Sequence, residues 1–235
     1  MNPDKLTSGK RADILGRIRE ALRAPAPRPH AGHATAAAPI GSAQARAWLP
    51  AVPSDAKGQL ALFQRNCVQL KTDLQRVSGV EGAKKIMGDL RDAHQWTAAA
   101  THHHPLLDQI VPALGFETRY TEERLSSQSL ERCSVGITAC DALIAQTGSI
   151  LLTARSGGGR TLSVLPPHHV VVATTDQLLP DLPAAFELLE AKYGDNYPSF
   201  ATFITGPSRT GDIERILVLG AHGPRQLTVL LVGAI

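Results

Sequence analysis

The stretch that decides the fold is residues 135–153, VGITACDALIAQTGSILLT, together with HVVVA at 169–173 and LTVLLV at 227–232. The last two are short, continuous apolar runs of the kind that forms buried strands, and residues 149–154 are a third strong strand candidate. Residues 182–192 have the pattern of a helix. Helices that alternate with short apolar runs predict an α/β fold with crossover connections.

The same alternation extends through the rest of the chain. We expect a turn with helical character over residues 138–143 and a helix over 212–219, which Gly220 would cap. The remaining predicted helices are 57–76, 81–93 and 106–114, and the remaining short runs are 77–80, 96–100, 116–120, 134–137, 162–165 and 200–205.

The composition limits the classes of protein to which this chain can belong. A length of 235 residues suits one domain, or one domain with an appendage, and 43% apolar residues are enough for a core. Residues 1–50 carry eight Lys/Arg and three Asp/Glu, a net charge of +5, whereas residues 51–235 carry sixteen and eighteen, a net charge of −2. A slightly acidic body argues against nucleic-acid binding, which needs a basic face.

The amino-terminal segment differs from the body. Residues 8–23 have the spacing of an amphipathic helix, and residues 24–53 contain six of the sixteen prolines. We therefore divide the chain into residues 1–53, a helix and a Pro/Ala-rich linker, and residues 54–235, an α/β domain. The helix could pack on the body, join a neighbouring subunit, stay mobile or lie on a membrane surface.

The lack of a recognisable signal peptide or membrane-spanning run, together with the cysteine spacing, indicates a cytoplasmic protein. No apolar run approaches the roughly 18–20 residues that span a bilayer, and the charged amino terminus lacks the apolar core of a signal peptide. The cysteines at 67, 133 and 140 include no CxxC pair, so we expect neither a disulfide framework nor a zinc or iron–sulfur site in this chain.

The sharpest motif for chemistry is TGPSRTGDIE at 205–214. It follows an apolar run and is expected to open a helix, with Ser208 or Thr210 as its cap. Free backbone N–H groups at such a start favour an anion, and Arg209 can add a bidentate contact. The alternative is an ordinary capped helix in which Arg209 pairs with an internal acid.

The second motif, residues 136–149, ends in Gln146-Thr147-Gly148-Ser149 and presents amide and hydroxyl groups at a sheet edge. Asp141 within it is either a local cap or an acid or base. Cys140 could be a nucleophile, but a free cysteine is more often a small buried apolar residue.

Histidines and glycines supply weaker candidates. His168 and His169 precede a buried strand after two prolines and would face opposite sides of it; a metal site there would need a third ligand such as His222. The run at 102–104 suits a loop that binds metal adventitiously. The glycines at 157–159 lack the ending of a P-loop, so we expect a hairpin or a mobile lid that brings Arg160 to an anion.

Three stretches taken together resemble the LutC/YkgG family, the lactate-utilisation (LUD) domain proteins. They are VGITACDALIAQTGSILLT, GGGRTLSVLPPHHVVV and TFITGPSRTGDIERILVLGAHGPRQLTVLLV. The opening SGKRADILGRIREALR is also similar to that family. The resemblance is strong over residues 134–235 and weak over 8–23. It implies an α/β fold of the NagB/RpiA/CoA-transferase-like type, with a mainly parallel sheet and helices on both faces.

The resemblance also implies a role in the bacterial oxidation of L-lactate to pyruvate, beside two iron–sulfur proteins. The clusters would belong to those partners, since this chain lacks the Cys-rich region of its cluster-carrying relatives. Many LUD sequences have Glu where this chain has Gln146, and an amide cannot act as a carboxylate base or nucleophile. This departure favours binding or assembly over independent catalysis.

The leading hypothesis is therefore an accessory component of an L-lactate-oxidising system that binds a small anion and no metal. Asp141 is the weak catalytic candidate, and Gly136 and Gly220 would shape the backbone around the site. The alternative is a stand-alone transferase or isomerase acting on a phosphorylated or CoA-thioester substrate. A third possibility is an assembly module whose first helix recruits a partner. The expected ligand-binding residues are Thr138, Gln146, Thr147, Gly148, Arg160, Gly206, Ser208, Arg209 and Thr210.

Overall fold

The structure is a computed structural model that describes residues 13–21, 23, 49–213, 216–219 and 223–233. The chain divides into two units, Met1–Gly41 and Ser42–Ile235. In the first unit residues 13–21 are helical with exposed side chains, which confirms that part of the predicted helix. Most of the predicted linker, residues 24–48, and the predicted cap Gly220 lie outside the described residues.

A six-stranded parallel sheet forms the centre of the second unit, in the order β1-β12-β7-β4-β2-β3. The prediction of an α/β fold with a mainly parallel sheet is confirmed. The strands are β1 (Asp73–Val77), β2 (Ala99–Thr101), β3 (Thr118–Tyr120), β4 (Val135–Thr138), β7 (His168–Thr174) and β12 (Gln226–Val232).

Both faces of this sheet are buried, because alternate residues of a strand point to opposite sides. Val170 and Val172 of β7 pack against α2 (Val80–His94), whose buried stripe is Ala83, Met87 and Leu90. On the other face, Val171 packs against α1 (Ala56–Leu70), whose buried stripe is Leu60, Phe63 and Cys67. The continuous apolar runs thus have the composition of strands covered on both sides.

A second, four-stranded sheet, in the order β8-β5-β6-β9, shares the α1 face of the central sheet. Its outer face packs against α5 (Leu182–Tyr193) through Ala185, Leu189 and Tyr193. A strand layer therefore lies where only helices are expected. The strands are β5 (Ala142–Ile144), β6 (Ser149–Thr153), β8 (Leu178–Leu179) and β9 (Ala201–Ile204).

Several predicted elements are confirmed with shifted ends. The helix at 106–114 consists of α3 (Leu107–Ile110) and a 3-10 turn (Val111–Leu114). The helix predicted over 57–76 ends at Leu70, because Lys71 adopts a left-handed backbone that closes it, and β1 begins at Asp73. The strand predicted at 77–80 is therefore wrong, since those residues end β1 and begin α2. A further short helix, α4 (Ser127–Glu131), precedes β4.

Two other predictions are wrong. The helix expected over 212–219 is an antiparallel hairpin of β10 (Arg209–Ile213) and β11 (Ile216–Leu219). The run ILVL suits a strand as well as a helix, and periodicity cannot separate the two in so short a segment. The helical character expected over 138–143 is also absent, because Ala142 begins β5 and pairs with Leu151 of β6. Among the described residues, no helix is both long and apolar enough to span a bilayer.

We expect Phe63→Ala to lower the free energy of unfolding by about 3–5 kcal/mol, because the side chain is fully buried between α1 and the central sheet. Val68 on the same helix is 75% exposed, so Val68→Ala should change it by no more than about 0.5 kcal/mol. Urea unfolding measures both values. Equal losses would contradict the packing described for α1.

Candidate functional site

The crevice in which parallel α/β sheets often bind ligands is filled in this chain by its own side chains. After β2 the chain continues outward to β3, and after β4 it continues to β7 on the other side, so the strand order reverses between them. Ligands commonly lie at the carboxyl ends of strands at such a point. Here His102 follows β2 with 3% of its surface exposed, and Asp141 follows β4 with a fully buried side chain.

Asp141 is the centre of a dense hydrogen-bond network. Its carboxylate accepts from Ser156 Oγ at 2.5 Å, from Lys192 Nζ at 2.6 Å and from Tyr193 OH at 2.6 Å. The Tyr193 oxygen also lies 3.1 Å from Thr153 Oγ1. The network therefore joins the end of β4, the turn after β6 and the last turn of α5.

The network keeps Asp141 ionised. Burial by itself raises the pKa of this carboxyl, but the hydrogen bonds from Lys192, Ser156 and Tyr193 outweigh it, and the pKa lies below its ordinary value. The side chain of Asp141 is enclosed and binds three hydrogen-bond donors. It therefore has a structural role, in which it links the end of β4 to the turn after β6 and to α5. An acid–base role in the transferase or isomerase alternative would require access that this geometry does not provide.

The glycine turn at 157–159 covers the same crevice. Gly158 has φ +63°, and a Cβ there would lie 2.5 Å from Cβ of His102. The preceding Ser156 hydroxyl donates to Asp141 and accepts from the N–H of Thr153 at 2.9 Å. Only a residue without a side chain allows this approach at that backbone angle. The described contacts hold this turn against His102 rather than leaving it as an open lid.

The two predicted ligand turns do meet. Ser149 Oγ lies 2.8 Å from Thr205 Oγ1, which joins the Gln146–Ser149 turn to the Gly206–Ser208 turn. Gly148 and Gly206 both pack against Leu70 at the carboxyl end of α1, with φ +67° and +83°. Gly136, the other glycine expected to shape the site, instead faces the backbone oxygen of Leu162, which a Cβ would approach to 2.5 Å.

Beside these turns lies a cavity of about 230 Å³, which we call the inner cavity. It is found at the amino ends of β7 and β12, where His169 and Leu227 are the second residues of their strands. It is thus at the opposite end of the central sheet from Asp141. It is lined by Ser163, Val164, His169, Phe200, Thr202, Ile204, Thr205, Gly206, Pro207, Ser208, Gly223, Pro224 and Leu227.

Two buried polar atoms that belong to lining residues have no hydrogen-bond partner among the described residues. They are Nδ1 of His169 and Oγ of Ser163, whose residues are 1% and 3% exposed. A buried polar atom without a partner costs about 1–3 kcal/mol, which a bound ligand could recover. Burial, and then the nearby His168, lower the pKa of His169 to about 3, so the ring is neutral at pH 7.

Of the expected ligand-binding residues, the structure places Gly206 and Ser208 in the cavity wall and Thr138 directly behind it. Thr138 Oγ1 lies 2.9 Å from Nε2 of His169 and therefore holds the ring in place. The two expected cations have other contacts: Arg160 donates to the Ser199 carbonyl at 2.8 Å, and Arg209 donates to the Leu70 carbonyl at the end of α1.

The remaining expected residues lie away from the cavity wall or outside the description. Gln146 donates from Nε2 to the Pro50 carbonyl at 2.8 Å, and its Oε1 and the Thr147 hydroxyl are buried without a described partner. Gly148 packs against α1. The side chain of Thr210 lies outside the described residues. The hairpin at 209–219 also removes the expected anion site at a helix start, because no helix begins there.

Sequence reasoning missed Ser163, and it treated His169 only as one of two strand-end histidines. Nothing local distinguishes Ser163, because its importance comes from its burial without a partner in the wall of the cavity, which residues remote in the chain determine. In the described part of the chain, no group of three His, Cys, Asp or Glu side chains is arranged to hold a metal ion. Burial raises the pKa of the Cys140 thiol far above its ordinary value, which opposes a nucleophilic role.

A larger concavity, of about 800 Å³, lies elsewhere, beside the first half of α1 and the carboxyl ends of β1, β7 and β12. We call it the α1 groove. Its lining includes Lys57, Leu60, Arg76 and Leu231, and none of the buried unpartnered atoms belongs to a residue that lines it. The unmet hydrogen bonds favour the smaller inner cavity as the ligand site.

We expect Asp141→Asn to lower the free energy of unfolding at pH 7 by about 1.5–3 kcal/mol or more, because one hydrogen bond to a charged group contributes that amount. The folded-state pKa is lowered, so the carboxylate stabilises the fold above the unfolded-state pKa of about 3.9, and this contribution is lost as the pH falls through the folded value. Urea unfolding at pH 7, 5 and 3 should show a difference from wild type that shrinks only at pH 3.

Asp89→Asn is the matched control, because Asp89 forms an exposed pair with Lys85. That change should cost less than about 1 kcal/mol at every pH. A pH-independent loss for Asp141→Asn would contradict the role given to its charge.

Comparisons with known proteins identify relatives of this chain. It is 37% identical over 107 residues to "Lactate utilization protein C" of Macrococcus caseolyticus, an alignment that covers 45% of this chain and 46% of that protein. The protein of the same name from Halalkalibacterium halodurans is 28% identical over 180 residues, with 73% and 77% covered. The one from Deinococcus radiodurans is 36% identical over 133 residues, with 53% and 62% covered.

The matches thus span between about half and three quarters of these relatives. A crystal structure of a DUF162 family protein from Deinococcus radiodurans has the same fold, with a TM-score of 0.59 and 25% identity. That comparison covers 77% of this chain and all of the other. The family model described as "LUD domain" matches residues 81–232, well over half of the chain. The chain therefore belongs to the LUD domain family.

Proposed function

We propose that this protein is an accessory component of a bacterial system that oxidises L-lactate to pyruvate, and that it binds a small anionic ligand whose uncharged polar part occupies the inner cavity. The relatives named "Lactate utilization protein C" support the pathway. The partners would be iron–sulfur proteins in the cytoplasm, which carry the clusters and the electrons. This chain would contribute binding and assembly.

The observation that carries the ligand site is the pair of unpartnered polar atoms at the cavity wall, His169 Nδ1 and Ser163 Oγ. Polar groups buried this deeply are normally hydrogen-bonded, so two unpartnered atoms on residues that line the same cavity point to a missing partner. A few polar groups in an otherwise apolar wall are also typical of sites for small molecules. Asp141, in contrast, is enclosed in its own network and offers no group to a substrate.

The pathway is tested by deleting the gene in its native host. We expect the deletion strain to lose growth on L-lactate but to keep growth on acetate, and an affinity-tagged copy to recover two Cys-rich iron–sulfur proteins from lactate-grown cells. Unimpaired growth on L-lactate in the deletion strain would refute the proposal.

The cavity is tested in the same strain with Ser163→Leu. The larger apolar side chain should fill the inner cavity and abolish complementation on L-lactate, while the soluble protein level and thermal midpoint stay close to wild type. Ser199→Leu, which changes a residue outside the cavity wall, is the matched control and should complement fully. Full complementation by Ser163→Leu would show that the cavity is not used.

A further inference from the structure

We propose that the inner cavity is one half of a bipartite binding site, and that this site takes a phosphate monoester larger than a three-carbon acid. The other half, which we call the outer cleft, is a neighbouring cleft that shares Pro207 and Leu227 with the inner cavity. This inference rests on the proposed function only in using the same inner cavity, and it deepens that proposal by naming the class of ligand.

The two halves adjoin. Pro207 and Leu227 belong to the walls of both the inner cavity and the outer cleft, so the two spaces are neighbours that share these residues. The outer cleft has a volume of about 320 Å³ and opens at the amino ends of β1, β7 and β12, where Asp73, His168 and Gln226 line it. Both spaces therefore lie at one end of the central sheet.

Charge divides the site into two parts. Lys71 and Arg225 line the outer cleft, both are exposed, and neither forms an ion pair within the described residues. The one carboxylate in that lining, Asp73, accepts a hydrogen bond from Gln75 at 2.7 Å and another from Thr228 at 3.4 Å. The two cations are thus available to an anion.

The inner cavity has no charged side chain among its lining residues. Its polar groups are neutral hydroxyls and the neutral ring of His169. An oxyanion enclosed there would lose its hydration without gaining a cation, which is costly. A ligand that uses both halves would place its anionic group in the outer cleft and an uncharged polar group in the inner cavity.

His168 gives independent support for the outer half. It is 3% exposed, its Nε2 lies 2.9 Å from Thr228 Oγ1, and its Nδ1 has no described partner. Three of the residues that carry unpartnered buried atoms, Ser163, His168 and His169, therefore line these two spaces.

Size and hydrogen bonding narrow the class of ligand. Each space alone is at or below the low end of the roughly 300–1,000 Å³ typical of ligand pockets, whereas the two together lie within that range. Two cations suit the charge of a phosphate group, which arginine binds through paired N–H donors. A hydroxyl both donates and accepts, so it can satisfy Ser163 Oγ and His169 Nδ1 in either tautomer.

The test compares phosphate monoesters with their unphosphorylated parents by isothermal titration calorimetry. The probes are FMN with riboflavin, glycerol 3-phosphate with glycerol, inorganic phosphate alone and L-lactate. We expect at least one ester to bind about tenfold or more tightly than both its parent and inorganic phosphate, which is the scale of one charge-assisted hydrogen bond. If no ester does so, the proposal is overturned.

Variants then assign the two halves. Lys71→Gln with Arg225→Gln should lower the affinity of the ester at least about tenfold and leave that of the parent unchanged. Lys57→Gln with Arg76→Gln, in the α1 groove, is the matched control and should change neither. Ser163→Ala should weaken the ester and its parent alike without destabilising the fold, because it removes an unpartnered hydroxyl.

Two results separate this inference from the proposed function. In the first, L-lactate binds as tightly as any ester, Ser163→Leu abolishes that binding, and Lys71→Gln with Arg225→Gln leaves it unchanged. This result would overturn the bipartite site and leave the accessory role intact. Tight ester binding in a protein whose gene deletion leaves growth on L-lactate unimpaired would support the bipartite site and refute the pathway.

Discussion

The burial of both faces of strands β7 and β12 is the constraint on which the rest of this structure depends. Val170 and Val172 require a cover on one side, and Val171 and Ala173 require one on the other. Helix α2 supplies the first cover, whereas α1 and the four-stranded sheet share the second. Once the second sheet occupies part of that face, the turns at its ends are brought against the end of α1, and the turn at 205–208 forms part of the wall of the inner cavity.

The same arrangement moves the ligand site away from its usual place. At the carboxyl ends of β2 and β4, His102, the glycine turn and the Asp141 network occupy the crevice. At the amino ends of β7 and β12, two histidines and a serine have unmet hydrogen bonds beside open space. Buried polar groups are nearly always satisfied, so this imbalance is the feature that distinguishes the two ends of the sheet.

Local patterns predicted most of the elements, because the apolar runs and amphipathic stripes that identify them are properties of short segments. They also predicted that the turns at 146–149 and 205–208 carry the site, and the structure brings these turns into contact through Ser149 and Thr205. They mistook the hairpin at 209–219 for a helix, since a four-residue apolar run suits either element. Local spacing could not predict where the side chains of Arg160 and Arg209 lie, because their positions depend on how the backbone folds around them.

The sequence by itself determined the α/β class, the parallel strands with two buried faces and the family, because each follows from residue patterns along the chain. Tertiary structure alone decided which polar groups are satisfied. Asp141 meets three donors from two other segments, whereas Ser163 and His169, of which only the histidine had been singled out, line a cavity and carry buried polar atoms without described partners. Whether a buried polar atom has a hydrogen-bond partner depends on residues remote in the chain, so no local sequence pattern predicts it.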